Sequence, residues 1–322
     1  MIRFIFSRLV QSVIVLLFMS FVIYGLMGLM PGDPIDLMVT ADPKITTTDA
    51  AHLRELYGLD RPIIERYGHW LLAAINGDFG FSRLHAQPVL KVMGSAVFNT
   101  IILLGLSFSL ALLIALPLGI IAAMRPRTCL DYGVNMLAFV GISVPQFWLA
   151  LMIIIVFAVV LGWLPAGGTA AAAGLEGFWE NGRYLILPVI SLTIASLGTH
   201  TRYIRASMIE ALRQDFIRTA QAKGLSEGQV VIGHALRNAM IPVFTVIALD
   251  FGYLFSGALI TETIFSYPGM GKLIFDSIMG NDFNLALIAL LFATALTLCG
   301  NFLADVAYAV LDRRISLVEL SE

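Results

Sequence analysis

Three acids stand where an ionised side chain is costly: Asp250, Glu262 and Asp305. An acid at the centre of a bilayer costs about 2.5–3.5 kcal/mol on insertion scales, so it must face protein or water. Asp250 sits near the middle of an apolar run and has two readings. It lines a pathway and attracts a cationic group such as an amino terminus, or it is a protonated or hydrogen-bonded acid at a subunit interface. Glu262 falls at the outer end of the same run, which it can cap. Asp305 is close to Arg313 and Arg314, which suits a structural pairing near the inner surface. Five scattered histidines and two cysteines, Cys129 and Cys299, form no metal-ligand cluster. No HExxH, GxSxG or P-loop pattern occurs. An intramembrane enzyme would need a second acid at the depth of Asp250, and none is evident. If ATP drives this chain, another chain binds it.

The elements that position these residues follow from composition. Of 322 residues, 58% are hydrophobic and 13% charged, where soluble domains carry about 25% charged. Mean hydropathy is +0.86. Disorder, a nucleic-acid partner and a disulfide-stapled secreted module are all disfavoured. A bilayer core about 30 Å thick needs about 20 apolar residues as a helix, and backbone groups in lipid must be paired internally. Six runs qualify: Leu9–Met30, Phe98–Met124, Tyr132–Trp163, Tyr184–Thr201, Ala239–Thr263 and Asn284–Leu311. The expected fold is an all-α integral membrane protein with six transmembrane helices. Pro145 breaks the third run and Pro242 bends or opens the fifth, which makes both candidates for structural or gating positions.

Orientation follows from Lys and Arg. With the N-terminus inside, twelve cations fall on the cytoplasmic side and eight outside, six of the eight in the single loop 31–97. A loop that long translocates largely regardless of charge, so the ratio that counts is twelve to two and both termini are expected inside. The first apolar run is too long for a signal-peptide core and no small-residue cleavage site follows, so it reads as an uncleaved anchor.

The chain divides into an N-terminus and first span (1–30), an outer loop (31–97), a membrane core (98–311) and a cytoplasmic tail (312–322). The outer loop should hold a helix at Ala50–Tyr57 capped by Asp49, and a second beginning at Pro62 with Ile63, Ile64, Tyr67, Trp70, Leu71 and Ile75 on one face. It is either a lid folded for packing on the membrane surface or a docking element. The cytoplasmic loop 204–238 carries half of the inside cations, counting Arg202 at its border. Within it Asp215–Lys223 forms a helix stopped by Gly224, and Glu227–Asn238 forms a second. Retention of the loop inside needs cations but not this order, so the knob looks built to be gripped.

The segment Arg218-Thr219-Ala220-Gln221-Ala222-Lys223-Gly224-Leu225, followed by His234-Ala235-Leu236-Arg237-Asn238-Ala239 and Pro242, resembles the cytoplasmic EAA loop of ATP-binding-cassette importer permeases. More narrowly it is similar to the B-type membrane subunit of dipeptide/oligopeptide importers. Pro31-Gly32-Asp33-Pro34, Gly58-Leu59-Asp60-Arg61-Pro62, Gly77-Asp78-Phe79-Gly80 and the Thr261–Gly271 segment agree in order. The sequence departs from the general pattern in two places: Arg218, Thr219 and Ala220 stand where Glu-Ala-Ala would, and Pro242 comes 18 residues after Gly224 rather than 13. The resemblance implies a type I importer fold in a bacterial or archaeal cytoplasmic membrane. It implies as partners a second, C-type permease subunit, one or two ATP-binding subunits, an extracytoplasmic solute-binding protein and membrane lipid. It further implies that no cofactor belongs to this chain and that ATP and Mg sit on the partner ATPases. Peptides are the expected cargo, with nickel, glutathione or another small solute as the alternative, and a stand-alone carrier as a reading of a different class.

Overall fold

Long apolar runs become long helices because each backbone N–H and C=O is satisfied within the segment. The computed structural model describes residues 2–29, 46, 48–49, 52, 61–175 and 177–311, without the side chains of some helical residues, 248–257 among them. Apart from residue 52, the predicted helix Ala50–Tyr57 lies outside the described residues, as do the segments 31–34 and 58–60 and the tail 312–322.

The first helix, α1, runs Ile2–Met27. Then come α2 (Ile63–Ile75) and a two-stranded antiparallel hairpin, β1 (Phe81–Ser82) with β2 (Gln87–Pro88). The chain passes directly into α3 (Val89–Met124), 36 residues that take nine positions from the expected outer loop. Helix α4 (Cys129–Ser143) is followed by α5 (Gln146–Ile153) and a π-helical turn, Ile154–Val160. Helix α6 (Phe178–Leu212) reaches well past the expected Tyr184–Thr201, and α7 (Asp215–Ala222) follows it. Next are α8 (Glu227–Val230), a π-helical turn (Val231–Leu236) and α9 (Arg237–Ile264). Helices α10 (Met270–Met279) and α11 (Phe283–Leu311) close the chain.

Among the described residues, four helices are long and apolar enough to cross a membrane, or five if the pair Cys129–Ser143 and Gln146–Val160 is one span. That pair bends by 100°. The third apolar run is therefore two limbs at a corner. Val144 ahead of the proline is extended, at φ −83° and ψ 124°, as steric conflict with the Pro145 ring requires. Pro242 lies inside α9, and the helix continues through it.

Close helix crossings use small residues. A Cβ on Gly198 of α6 would stand 2.3 Å from the Ala138 carbonyl of α4, and one on Gly119 of α3 would stand 2.7 Å from Ile204 of α6. The bundle has two distinct ends. Ile204, Met208, Ala211, Ile217 and Val231 form the core at the α7 end. Val89, Met93, Met270, Ile274 and Leu285 form it at the hairpin end. Arg8 of α1 meets Asp305 of α11 at 3.3 Å, so the start of α1 and the late part of α11 lie together. The pairing expected of Asp305 thus exists with a partner from another helix; Arg313 and Arg314 lie outside the described residues.

Candidate functional site

Helix α7 is amphipathic, and its packing follows from that pattern. Ile217 and Ala220, one turn apart, are buried against α6 and the Val230–Ala235 turn, Ile217 to 2% exposure. Phe216, Arg218, Thr219, Gln221, Ala222 and Lys223 are exposed. Asp215 stands in the first turn, where a carboxylate favours the helix dipole. The helix ends as expected: Gly224 adopts φ +79°, its N–H donates to the Gln221 carbonyl at 2.9 Å, and that left-handed conformation strains any residue with a Cβ. Leu225 is half-buried. A cavity of about 440 Å³ opens beside α7, lined by Met124, Leu212, Ile217, Gln221, Leu225, Glu227, Val230 and Val231.

The second helix of the knob is not separate. Ser226 starts it, its N–H donating to Gln229 Oε1 at 3.0 Å. From Glu227 the helix runs through the π-helical turn into α9 without interruption. The short helix expected at Glu227–Asn238 is the base of the long one that carries Asp250 and Glu262. Asp250 lies mid-way along α9, and its side chain is outside the description.

Glu262, at the far end of that helix, is fully buried. Its Oε1 accepts from Thr100 Oγ1 at 2.6 Å, and its Oε2 accepts from the N–H groups of Gly271 (2.6 Å) and Lys272 (3.2 Å). Those N–H groups belong to the first turn of α10, which attracts anions. Glu262 therefore caps α10 rather than its own helix. Thr100 Oγ1 also accepts from the Met270 N–H at 2.8 Å. Gly269 leaves the space: a Cβ there would stand 2.2 Å from the Glu262 carboxylate. Around this pin, Gln146 donates to Thr261 at 3.0 Å and Asn99 to the Pro268 carbonyl at 2.9 Å. The Tyr267 hydroxyl donates to the Asn99 carbonyl at 3.2 Å. Burial and the nearby Glu262 carboxylate push that hydroxyl up to about 12, so it stays a donor.

Two side-chain arrangements escaped the sequence reading. Asp131, in the first turn of α4, is buried and bound by Arg205 of α6, whose Nε and Nη2 donate at 2.5 and 2.7 Å. Asp131 also accepts from the Arg127 N–H and from Asn135. The local signal was Thr128 three residues before Asp131, a helix-start pattern; the partner 74 residues away left no mark. Asp282 is buried ahead of α11. It accepts from Ser82 Oγ at 2.5 Å and from the Leu84 N–H at 3.0 Å, and so pins the hairpin to the α10–α11 turn. His200, in the middle of α6, is buried edge-on to Phe108.

Residues 115–317 match the family described as binding-protein-dependent transport system inner membrane component, and residues 1–102 match the N-terminal model of the same membrane components. The chain belongs to this family. As such a membrane component it is 37% identical to the oligopeptide transport system permease protein AppB of Bacillus subtilis, over 98% of this chain and 99% of that one. It is 38% identical to a putative peptide permease protein of Brucella suis, over 98% and 100% of the two chains. A solved structure described as an amino acid ABC transporter with histidines superposes at a TM-score of 0.51, covering 68% of this membrane component and 94% of that chain at 14% identity, which supports the fold alone. The acids, α7 and the knob thus belong to a transport subunit, which is not itself an enzyme.

Proposed function

We propose that this membrane component is one of two permease subunits of an ATP-driven importer of di- and oligopeptides. Curated relatives matching nearly its whole length carry peptide-permease names. The observation that carries the mechanism is the seating of α7. Ile217 and Ala220 hold it on the bundle while Arg218, Gln221 and Lys223 face outward, and one continuous helix leads from its far side to Glu262. A cytosolic ATPase gripping residues 218–225 moves that helix as a lever. ATP and Mg belong to that partner, and an extracytoplasmic binding protein delivers the peptide.

In this reading both termini and α7 face the cytoplasm of a bacterial or archaeal cell. The six spans are α1, α3, the cornered α4–α5 pair, α6, α9 and α11. Helix α9, 28 residues long, spans about 42 Å at 1.5 Å per residue. Asp250, inside it, faces the pathway and attracts the peptide amino terminus. Pro145 and Glu262 form the frame at the opposite end, and Pro242 lies where the lever enters the membrane.

The test is reconstitution of the complete transporter in vesicles. Uptake of labelled short peptides should require both ATP on the α7 side and the binding protein on the other. Uptake that continues without either one would overturn the importer reading.

A further inference from the structure

Helix α2 is attached by one face only. Tyr67 and Trp70 stack at 5.9 Å and meet Tyr24 of α1 at 5.7 Å each. Tyr67 Oη shares a hydrogen bond with Ser20 Oγ at 2.6 Å, and Ile63 reaches Gly25 and Gly28. Helix α2 therefore lies alongside the last two turns of α1, level with an apolar span rather than above it. Glu65 and His69 occupy a second face, where Arg61, just ahead of the helix, pairs with Glu65 at 2.9 Å and His69 lies 3.8 Å from Glu65. The third face carries Ile64 and Ile75, three turns apart, with Leu72 at its border; they are 71%, 73% and 62% exposed. A soluble surface helix seldom leaves three large aliphatics bare on one side. At the same level of α1, Phe18 and Leu26 are equally bare.

We infer that α2 is an interfacial anchor whose Ile64–Ile75 face is seated in the bilayer leaflet at the hairpin end. The occupant is lipid because the stripe continues the bare apolar surface of α1 at the same depth, and because a charged face borders it, as in helices that lie in the membrane interface. The aromatic contacts with α1 set the depth, and Arg61, Glu65 and His69 face water. The inference rests on α1 crossing the bilayer.

The experiment uses the assembled transporter in vesicles, with Cys129 and Cys299 replaced by Ser. Single cysteines at Ile64, Ile75, Glu65, His69 and, as a control in α1, Val13 carry an environment-sensitive fluorophore. Brominated acyl chains should quench the probes at Ile64 and Ile75 roughly twofold more than those at Glu65 and His69, and aqueous iodide should do the reverse. Equal iodide quenching at all four α2 sites would overturn the anchor. Protection of positions 64 and 75 from both quenchers would overturn it as well, since another protein surface or another part of this chain would then cover the face. The Val13 probe separates the failures: if lipid does not quench it, α1 is not a span and the underlying reading falls.

Discussion

Arg205 holds Asp131 by two nearly parallel bonds, Nε to Oδ1 at 2.5 Å and Nη2 to Oδ2 at 2.7 Å. The pair joins the first turn of α4 to α6 ten residues before the start of α7. Removing one partner strands the other. Asp131→Asn should lower stability by about 1–3 kcal/mol, less than a fully buried pair because the Arg205 side chain is 24% exposed. Thermal unfolding in detergent checks this, and the exchange Asp131→Arg with Arg205→Asp should recover part of the loss.

Gly224→Val should leave the protein in the membrane and reduce uptake per ATP hydrolysed. A β-branched residue at φ +79° destabilises the turn and releases α7 from its fixed direction. Gly224→Asn, which tolerates that backbone conformation, should retain most coupling. The ratio of peptide uptake to ATP hydrolysis in vesicles is the measurement.

Reversing the outward cations of α7, Arg218→Glu with Lys223→Glu, should weaken the hold on the ATPase without unfolding the bundle, since both are exposed. Co-purification of the ATPase should fall, and melting of the permease should shift little.

Gly269→Ala should destabilise by about 1–3 kcal/mol, because the added methyl group meets the Glu262 carboxylate and the pocket has no slack. Glu262→Gln keeps the volume but turns an NH2 group toward donors. Its melting temperature should drop as well, and a variant that melts like the parent would remove the capping role.

Asp250→Asn should impair uptake more than assembly. Equal uptake across the peptide range, with normal complex formation, would leave Asp250 a structural acid.

Some of this was legible along the chain. Asp215–Lys223 announced α7 and Gly224 its end, because local propensity and one special backbone angle decide both. Pro145 marked a break, but not a 100° corner, which depends on what α5 packs against. The partners of Asp131, Glu262 and Asp282 were invisible. Ser82 and Asp282 are 200 residues apart, and no periodicity links such positions. Glu262 was expected to cap the helix it ends; the acceptor geometry instead serves the helix that follows.

The Glu262 pin constrains where this molecule can part. Separating α9 from α10 would strand a buried carboxylate, and separating either from α3 would break the Thr100 bridge between them. The loop N–H of Gly168 adds a tie to the Phe265 carbonyl. Among the described residues, α3, α9, α10 and the Gly168 loop are thus tied into one plate at the hairpin end. In the proposed importer, an opening for the solute then runs along the outside of that plate, between this chain and the second permease subunit.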